Sequence, residues 1–207
     1  MIKVEDIDVW GFEHAVRAAR NPMDSWSKSD SNFLPFTIGE KDMDLLRRLY
    51  KAGTEHRTYA RMIQVSMDIV APLYWWKEAD RYTVGKSQVS CSTMHTLTKR
   101  PITLSDFSID DFEMAGNYKD AFLNVVDDCE TLRKAYVASG DEQYWRWLIQ
   151  LLPESFNQRR TICMSYETVF KMIHERKHHR LAEWREFVNV LKELPYVKEI
   201  MDEHTAE

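Results

Sequence analysis

The sequence lacks long apolar runs, repeats and any density of cysteine, and each absence removes a class of protein. No stretch approaches the ~20 apolar residues that a bilayer-spanning helix needs, so no membrane partner is expected. The opening MIKVEDIDVW has acidic residues where a secretory leader needs an apolar run, which predicts a cytoplasmic protein. Cys91, Cys129 and Cys163 are odd in number and scattered, suiting reduced thiols rather than a disulfide framework. An excess of positive charge is missing too. A net charge of −5 argues against a surface given over to nucleic acid, and no nucleic-acid partner is expected.

What is present is enough for one substantial core. With 207 residues, 44% of them hydrophobic and 12% aromatic, the chain is expected to form a single domain over 1–207. Asp8 to Arg20 carries Val9, Phe12, Val16 and Ala19 at helical spacing and ends at Asn21-Pro22. The polar tract MDSWSKSDSNFLPF reads as a long ordered loop, which in a compact domain is commonly functional. Glu40 to Ala52 reads as a helix with Leu45, Leu46 and Leu49 inward and Gly53 as its stop. Beyond a loop at Lys99-Arg100-Pro101, Asp111 to Ala138 is a helix interrupted near Gly116-Asn117. Ser139-Gly140-Asp141 then turns and caps Glu142 to Leu152, whose Trp145 and Trp147 cannot share a face. Phe156 to Met164 fits strand or helix; Ser165 to His178 and Leu181 to Leu194 are helices, and Pro195 starts a short last one.

The most informative tract is MIQVSMDIVAPLYWWKEADRYTVGKSQVSCSTM, Met62 to Met94. Met62, Ile63, Val65, Met67, Ile69 and Val70 around Gln64, Ser66 and Asp68 give the period of a half-buried strand. Ala71-Pro72 then opens a helix, since proline at the first helical position loses no needed N–H. Lys77, Glu78, Asp80 and Arg81 gather in its last turns. The following KSQVSCST is small and hydroxyl-rich, suited to hydrogen-bonding an anion or a sugar.

This tract resembles the signature region of the flavin-dependent thymidylate synthases, where an alternating strand and an Ala-Pro helix start lead into R-H-R-x-x-S-x-N-E-x-S-x-R-Y. Without gaps, the first arginine falls on Arg81; the histidine position is Tyr82 and the next arginine position Thr83. The Glu, Ser and Arg that hold dUMP in the family are Val89, Cys91 and Thr93 here. A second block has Leu152-Pro153 ahead of MSYETVFKMIHER, ending at Arg176, then Ala182-Glu183-Trp184, similar to the family's long helix and Ala-Gln-Trp-Glu segment. Upstream, Gly53, Glu55 and His56 match part of a Gly-His-x-x-x-Phe-Glu-His turn. The three ordered blocks cover 39–184.

The resemblance implies an α+β fold, with a small, mainly antiparallel sheet packed with helices and a long helical C-terminal half. It implies a homotetramer with binding sites assembled between subunits, and FAD as cofactor, held by Arg81, Tyr82 and Arg176. The activity implied is reductive methylation of dUMP, with methylenetetrahydrofolate and NADPH as co-substrates. The pyrimidine nucleotide would meet Gln88, Ser90, Cys91 and Ser92, Cys91 standing where the family has a substrate-binding serine. The replaced motif residues leave a second reading beside this one, a divergent, catalytically altered or silent nucleotide-binding or interaction protein on the same fold.

A third reading comes from His174-Glu175-Arg176-Lys177-His178, which fits H-E-x-x-H, the helical zinc motif of hydrolases. Two cations beside a dication oppose it, and the run is explained without a metal, because basic side chains at a helix C-terminus complement its dipole. No metal is therefore expected. The local cluster of Arg159, Arg160, Arg176, Lys177, Arg180 and Arg185 reads first as a solvated helix face. Trp75-Trp76 reads as core before it reads as a stacking platform.

Overall fold

A computed structural model describes residues 2–109 and 116–202. Its elements in chain order begin with β1 (Lys3–Trp10), α1 (Phe12–Arg20), a short hairpin of β2 (Asn32–Phe33) and β3 (Phe36–Thr37), and α2 (Glu40–Lys51). A 3₁₀ segment (Thr54–Met62) leads to β4 (Gln64–Pro72), α3 (Leu73–Ala79), β5 (Lys86–Ser90), α4 (Thr93–Thr96), α5 (Asn117–Ser139) and α6 (Glu142–Leu151). The chain closes with β6 (Asn157–Ser165), α7 (Tyr166–Arg176), α8 (Ala182–Lys192) and α9 (Val197–Met201). Among the described residues no helix is long and apolar enough to cross a membrane.

The main sheet has the order β1-β4-β6-β5. Its register follows from single hydrogen bonds. Cys91 N–H donates to Arg159 O and Ser165 N–H to Gly85 O, so β5 and β6 run antiparallel, their paired numbers falling on one strand while rising on the other. Thr161 Oγ1 donates to the Asp68 carboxylate at 2.6 Å and Leu73 N–H to Phe156 O, which places β4 antiparallel to β6 in the same way. The fold is thus α+β with an antiparallel sheet, as the sequence predicts.

The contacts fall into two compact units, one on Ile69–Arg81 and Val89–Arg160, the other on Val4–Asp68, Tyr82–Gln88 and the chain from Thr161 onward. In the first, α5 and α6 form a hairpin. Asp141 caps α6 by accepting the Gln143 N–H at 2.9 Å, the cap expected of that turn. Leu97, Ile102, Phe107, Val126, Leu148 and Phe156 form its core, with the Phe107 ring set edge-on to Phe122 and Phe156 at 5.5 and 5.7 Å. Each such side chain contributes about 1.5–3 kcal/mol by leaving water.

The second unit buries Phe12, Val16, Leu46, Tyr59, Ile63, Tyr166, Phe170, Trp184 and Phe187. Its loop between α1 and α2 is tied to one buried carboxylate. Asp42 pairs with Arg20 at 2.7 Å and also accepts from Ser29 Oγ, Ser31 Oγ and the N–H groups of Asp30 and Ser31. Burial alone would raise this carboxyl, but the bonds from Ser29 and Ser31 and the Arg20 pair outweigh it and hold its pKa below the usual value.

Several expectations need correction. Asp8 to Trp10 lie in β1, not in the first helix, because Gly11 stops the helical path at φ +95° and starts α1. A side chain could not sit there, as a Cβ at Gly11 would lie 2.0 Å from the Met62 carbonyl oxygen. Pro72 is extended, at ψ 153°, and ends β4; the helix starts one residue later. The freed N–H groups of Leu73 and Tyr74 donate to Phe156 O and Glu154 O, which completes the first turn. In α2 it is Asp42, Met43 and Leu46 that are buried, with Leu45 and Leu49 only half-buried. The tract expected as a loop contains the β2–β3 hairpin, and the ambiguous segment after Phe156 is the strand β6. The helix expected from Asp111 begins within the described residues at Asn117; its first part lies outside them.

Candidate functional site

The first unit contains a cavity of about 380 Å³ beside the end of β5. β4 and the start of β6 supply part of its walls. Val70, Leu97, Ile102 and Phe156 give an apolar side, Thr93 and Thr96 give hydroxyls, and Asn157 and Gln158 give amides. Cys91 opens onto it, exposed, with its Sγ 3.6 Å from Thr96 Oγ1. Three cations, Lys99, Arg100 and Arg159, and one carboxylate, Asp106, complete the lining.

The position of Cys91 is set by β6. Its N–H donates to Arg159 O at 2.8 Å, and its own carbonyl accepts from Gln158 Nε2 at 3.0 Å. Gln158 is itself fixed on both sides. Its Oε1 accepts from Arg160 Nε at 2.9 Å, and its backbone oxygen accepts the Trp76 indole N–H at 3.0 Å. Arg160 lies 4.4 Å from the Trp76 ring and donates to Asp80 at 2.7 Å, a cation–π contact combined with an ion pair.

The carboxylate in the wall is committed to one of the cations. Asp106 accepts from Arg100 at 2.5 Å and from the Thr103 N–H at 2.8 Å, within a capping box around Leu104–Asp106. Burial would raise the Asp106 carboxyl, but Arg100 and Thr103 prevail and hold it below its ordinary value. The pocket therefore presents net positive charge in a chain of net charge −5, and chemically it suits an anion attached to a flat or apolar body.

The second unit holds a separate polar cluster at Tyr82. Arg176 Nε donates to the Tyr82 oxygen at 2.8 Å, and the phenol in turn donates to Glu175 at 2.7 Å. The Arg176 guanidinium stands 5.5 Å from the Tyr82 ring and 4.9 Å from the Trp184 ring, with Lys171 Nζ 5.8 Å from Tyr82. Burial first, then the bond to Glu175, pushes the phenol up to about 12.

Of the residues expected to hold the cofactor, Tyr82 and Arg176 meet each other, with Tyr82 only 5% exposed. The Tyr82 oxygen and Arg176 Nε are committed to one another, and the phenol O–H to Glu175, which is a poor fit to a flavin phosphate. Arg81 fits better. Its side chain is 71% exposed and touches Glu78 through Nη1 at 3.4 Å, leaving guanidinium N–H groups for a phosphate.

Of the residues expected at the substrate, Cys91 lines the cavity, Ser92 precedes α4 and accepts from Thr96 Oγ1, and Ser90 ends β5. Gln88 lies in β5, where it accepts from Lys86 at 3.2 Å. The hydroxyl-rich tract KSQVSCST is thus partly strand.

Sequence reasoning saw Lys99-Arg100 only as a loop, and Arg159 only as part of a basic C-terminal third. The pairing of β5 with β6 brings Arg159 to Cys91, and Lys99 and Arg100, in the chain after α4, line the same cavity. Hydroxyl-rich Ser90–Thr93 beside an alternating strand was the one local signal that a site lay there.

The H-E-x-x-H reading loses its geometry. α7 ends at Arg176, so His174 and His178 do not face out one turn apart on a helix, and Glu175 accepts from Tyr82. Among the described residues no group of three or more His, Cys, Asp or Glu side chains is placed to hold a metal ion. The basic turn after α7 is instead self-capped, with Arg185 Nη1 donating to His179 O and Arg180 O at 2.6 and 3.0 Å. Trp75 and Trp76, each 1% exposed, are core.

An antiparallel sheet with flanking helices defines an α+β fold, with a cationic cavity where the edge strand β5 pairs with β6. Among solved structures the chain is similar to thymidylate synthase X from Helicobacter pylori with FAD and dUMP, at a TM-score of 0.75 and 16% identity, over 97% of both chains. A second structure of the flavin-dependent thymidylate synthase from the same organism, also complexed with FAD and dUMP, matches at 0.74 and 17%, over 96% of this chain and 97% of the other. No protein-family model and no curated protein matches the sequence significantly. The fold is therefore that of the flavin-dependent thymidylate synthases.

Proposed function

We propose that this protein binds a pyrimidine nucleotide, with dUMP as the first candidate, in the cavity beside Cys91, and that it does so as a divergent, catalytically altered or silent member of this fold. The observation that carries the reading is the cavity itself, in which three cations and an apolar wall of Phe156 and Leu97 converge on Cys91. Ser90, Ser92 and Gln88 extend the hydrogen-bonding surface of the same strand end. Calorimetric titration of the purified chain with dUMP tests it. Saturable binding is expected, and no heat at millimolar dUMP would end the reading.

A second reading is favoured by the pairing of FAD with dUMP in the two similar structures. Under it the protein is an active flavin-dependent thymidylate synthase, cytoplasmic and homotetrameric. Its co-substrates are then methylenetetrahydrofolate and NADPH. Bound flavin would supply the hydride chemistry; the chain would supply positioning and charge. Arg81 would hold an FAD phosphate, with Tyr82 and Arg176 contributing only if their mutual bonds open. Visible absorbance after incubation with FAD and gel filtration distinguishes the two. A retained flavin spectrum that Arg81→Ala abolishes supports the flavoenzyme; a colourless eluate supports the silent form.

A further inference from the structure

We propose that Trp145 is a positioning residue of the cavity: its indole latches the turn 92–96, which forms one wall, and so fixes the surface that a ligand meets. The inference rests on the nucleotide reading for the identity of the ligand, while the latch itself is argued from geometry. The turn is anchored at both ends. Cys91 is bound to β6 through the Arg159 carbonyl and the Gln158 amide at 2.8 and 3.0 Å. Leu97, 5% exposed, sits in the core, and the next carbonyl, Thr98 O, accepts from Arg133 on α5. Between these anchors no residue of α4 is buried. Among the described residues, one hydrogen bond joins 92–96 to another helix or strand, with Trp145 Nε1 donating to Met94 O at 3.3 Å.

The turn cannot hold this shape alone. A helix of four residues makes too few bonds to offset the ordering of its backbone, and Thr93, His95 and Thr96 are weak helix formers. Its order therefore comes from the two anchors and the indole. That order matters to the cavity because Thr93 and Thr96 line it, and Thr96 Oγ1 lies 3.6 Å from Cys91 Sγ. Trp145 reaches the turn because of the helix period. Asp141 caps α6, and residues two apart on a helix project to nearly opposite sides, so Trp147 is 47% exposed while Trp145 is half-buried and meets Met94. The bond is long for an N–H donor, and Met94 is itself 48% exposed, so water replaces the indole when the bond breaks. The latch opens without stranding a polar group.

The test is hydrogen–deuterium exchange of the full chain read by mass spectrometry, with calorimetric titration of dUMP beside it. The proteins compared are the wild type, Trp145→Phe, which keeps a ring and removes the N–H, and Trp147→Phe on the opposite side of α6. In Trp145→Phe the amides of 92–98 are expected to exchange about fivefold faster, while α5, the rest of α6 and the urea midpoint stay as in wild type. dUMP is expected to bind about fivefold more weakly to Trp145→Phe, and saturating dUMP to slow exchange over 92–98 in every protein. Trp147→Phe is expected to match the wild type in both measurements.

Wild-type exchange over 92–98 in Trp145→Phe overturns the latch and leaves the nucleotide reading standing. Faster exchange spread through α5 and α6 with a lower urea midpoint also overturns it, because Trp145 is then a packing residue of the hairpin. Faster exchange confined to 92–98 with unchanged dUMP affinity overturns the positioning role. The same local change in a protein whose wild type binds no dUMP keeps the latch and overturns the nucleotide reading.

Discussion

Arg176 and Tyr82 hold each other in place through a single oxygen. The arginine donates to the phenol at 2.8 Å, and the phenol O–H donates in turn to Glu175 at 2.7 Å. The residues that the sequence suggests as cofactor contacts are thereby partners in a part-buried chain of acceptor and donor, and this arrangement has a measurable strength. Tyr82→Phe removes both bonds and leaves the Trp184 contact to Arg176. A loss of roughly 1–3 kcal/mol is expected in urea unfolding, seen as a lower midpoint at unchanged slope. Stability equal to wild type would mean that the chain of bonds contributes nothing.

The same phenol has an alkaline signature. Its folded pKa is raised from 10.0 to about 12, so between those values the folded state holds a proton that the unfolded state has released. Its stabilising contribution is complete below pH 10 and fades as pH rises toward about 12. Burial raises the Tyr59 and Tyr166 phenols as well, so ultraviolet titration of tyrosinate absorbance should show three fewer groups titrating near pH 10 in wild type than after unfolding in denaturant, and Tyr82→Phe should remove the one that titrates at about 12.

Asp42 and Arg20 make the opposite case at acid pH. Asp42 is 1% exposed and Arg20 6%, so Asp42→Ala strands a buried guanidinium and should cost about 3–5 kcal/mol. The Asp42 carboxyl is held below its ordinary 3.8, and Glu130, mainly through Arg133, falls from 4.5 to about 2. Both carboxyls are depressed, so their contributions are present above the unfolded values and lost as pH falls through the folded ones. Unfolding free energy measured across this range should drop between pH 4.5 and about 2, and by less in Asp42→Asn, which has no carboxyl at that site to titrate.

Gly11→Ala is expected to destabilise by about 2 kcal/mol or more. The residue combines φ +95° with a Cβ position 2.0 Å from the Met62 carbonyl oxygen, so both backbone and neighbour must move. Gly140→Ala is the matched comparison, since it shares the left-handed region at φ +70°, ψ 7° but nothing stands within 4 Å. Equal denaturation midpoints for the two variants would show that the Met62 contact is without energetic effect.

The thiols should react in order of access. Cys91 is exposed, Cys163 intermediate and Cys129 fully buried, its pKa raised to about 11 by desolvation and then by Asp128. An aromatic disulfide reagent is expected to titrate Cys91 first in native protein and Cys129 only on unfolding. Peptide mapping checks the order, and early labelling of Cys129 would contradict the packing of α5.

How far these features could be read from sequence depended on whether neighbours in space were neighbours in the chain. The alternation Val65, Met67, Ile69 and the Asp141 cap are local, and both stand where expected. Val9 misled because its spacing to Phe12 and Val16 is helical across a glycine whose positive φ is imposed by Met62, 51 positions away. Lys99 and Arg159 carry no shared periodicity. The Cys91 to Arg159 hydrogen bond of paired strands brings Arg159 to the cavity that Lys99 also lines. The H-E-x-x-H spacing failed for the converse reason, a helix that stops inside the motif.

Trp75 and Trp76, with ring centroids 4.8 Å apart and planes inclined at 80°, are also an optical device. Two indoles so close, in a fixed chiral arrangement, couple their electronic transitions and give a paired positive and negative band in circular dichroism, which denaturation erases. Trp76 donates to the oxygen of Gln158, and Gln158 lines the cavity. Occupation of that space therefore has a spectroscopic reporter already in the protein, and no label is needed to watch a ligand arrive.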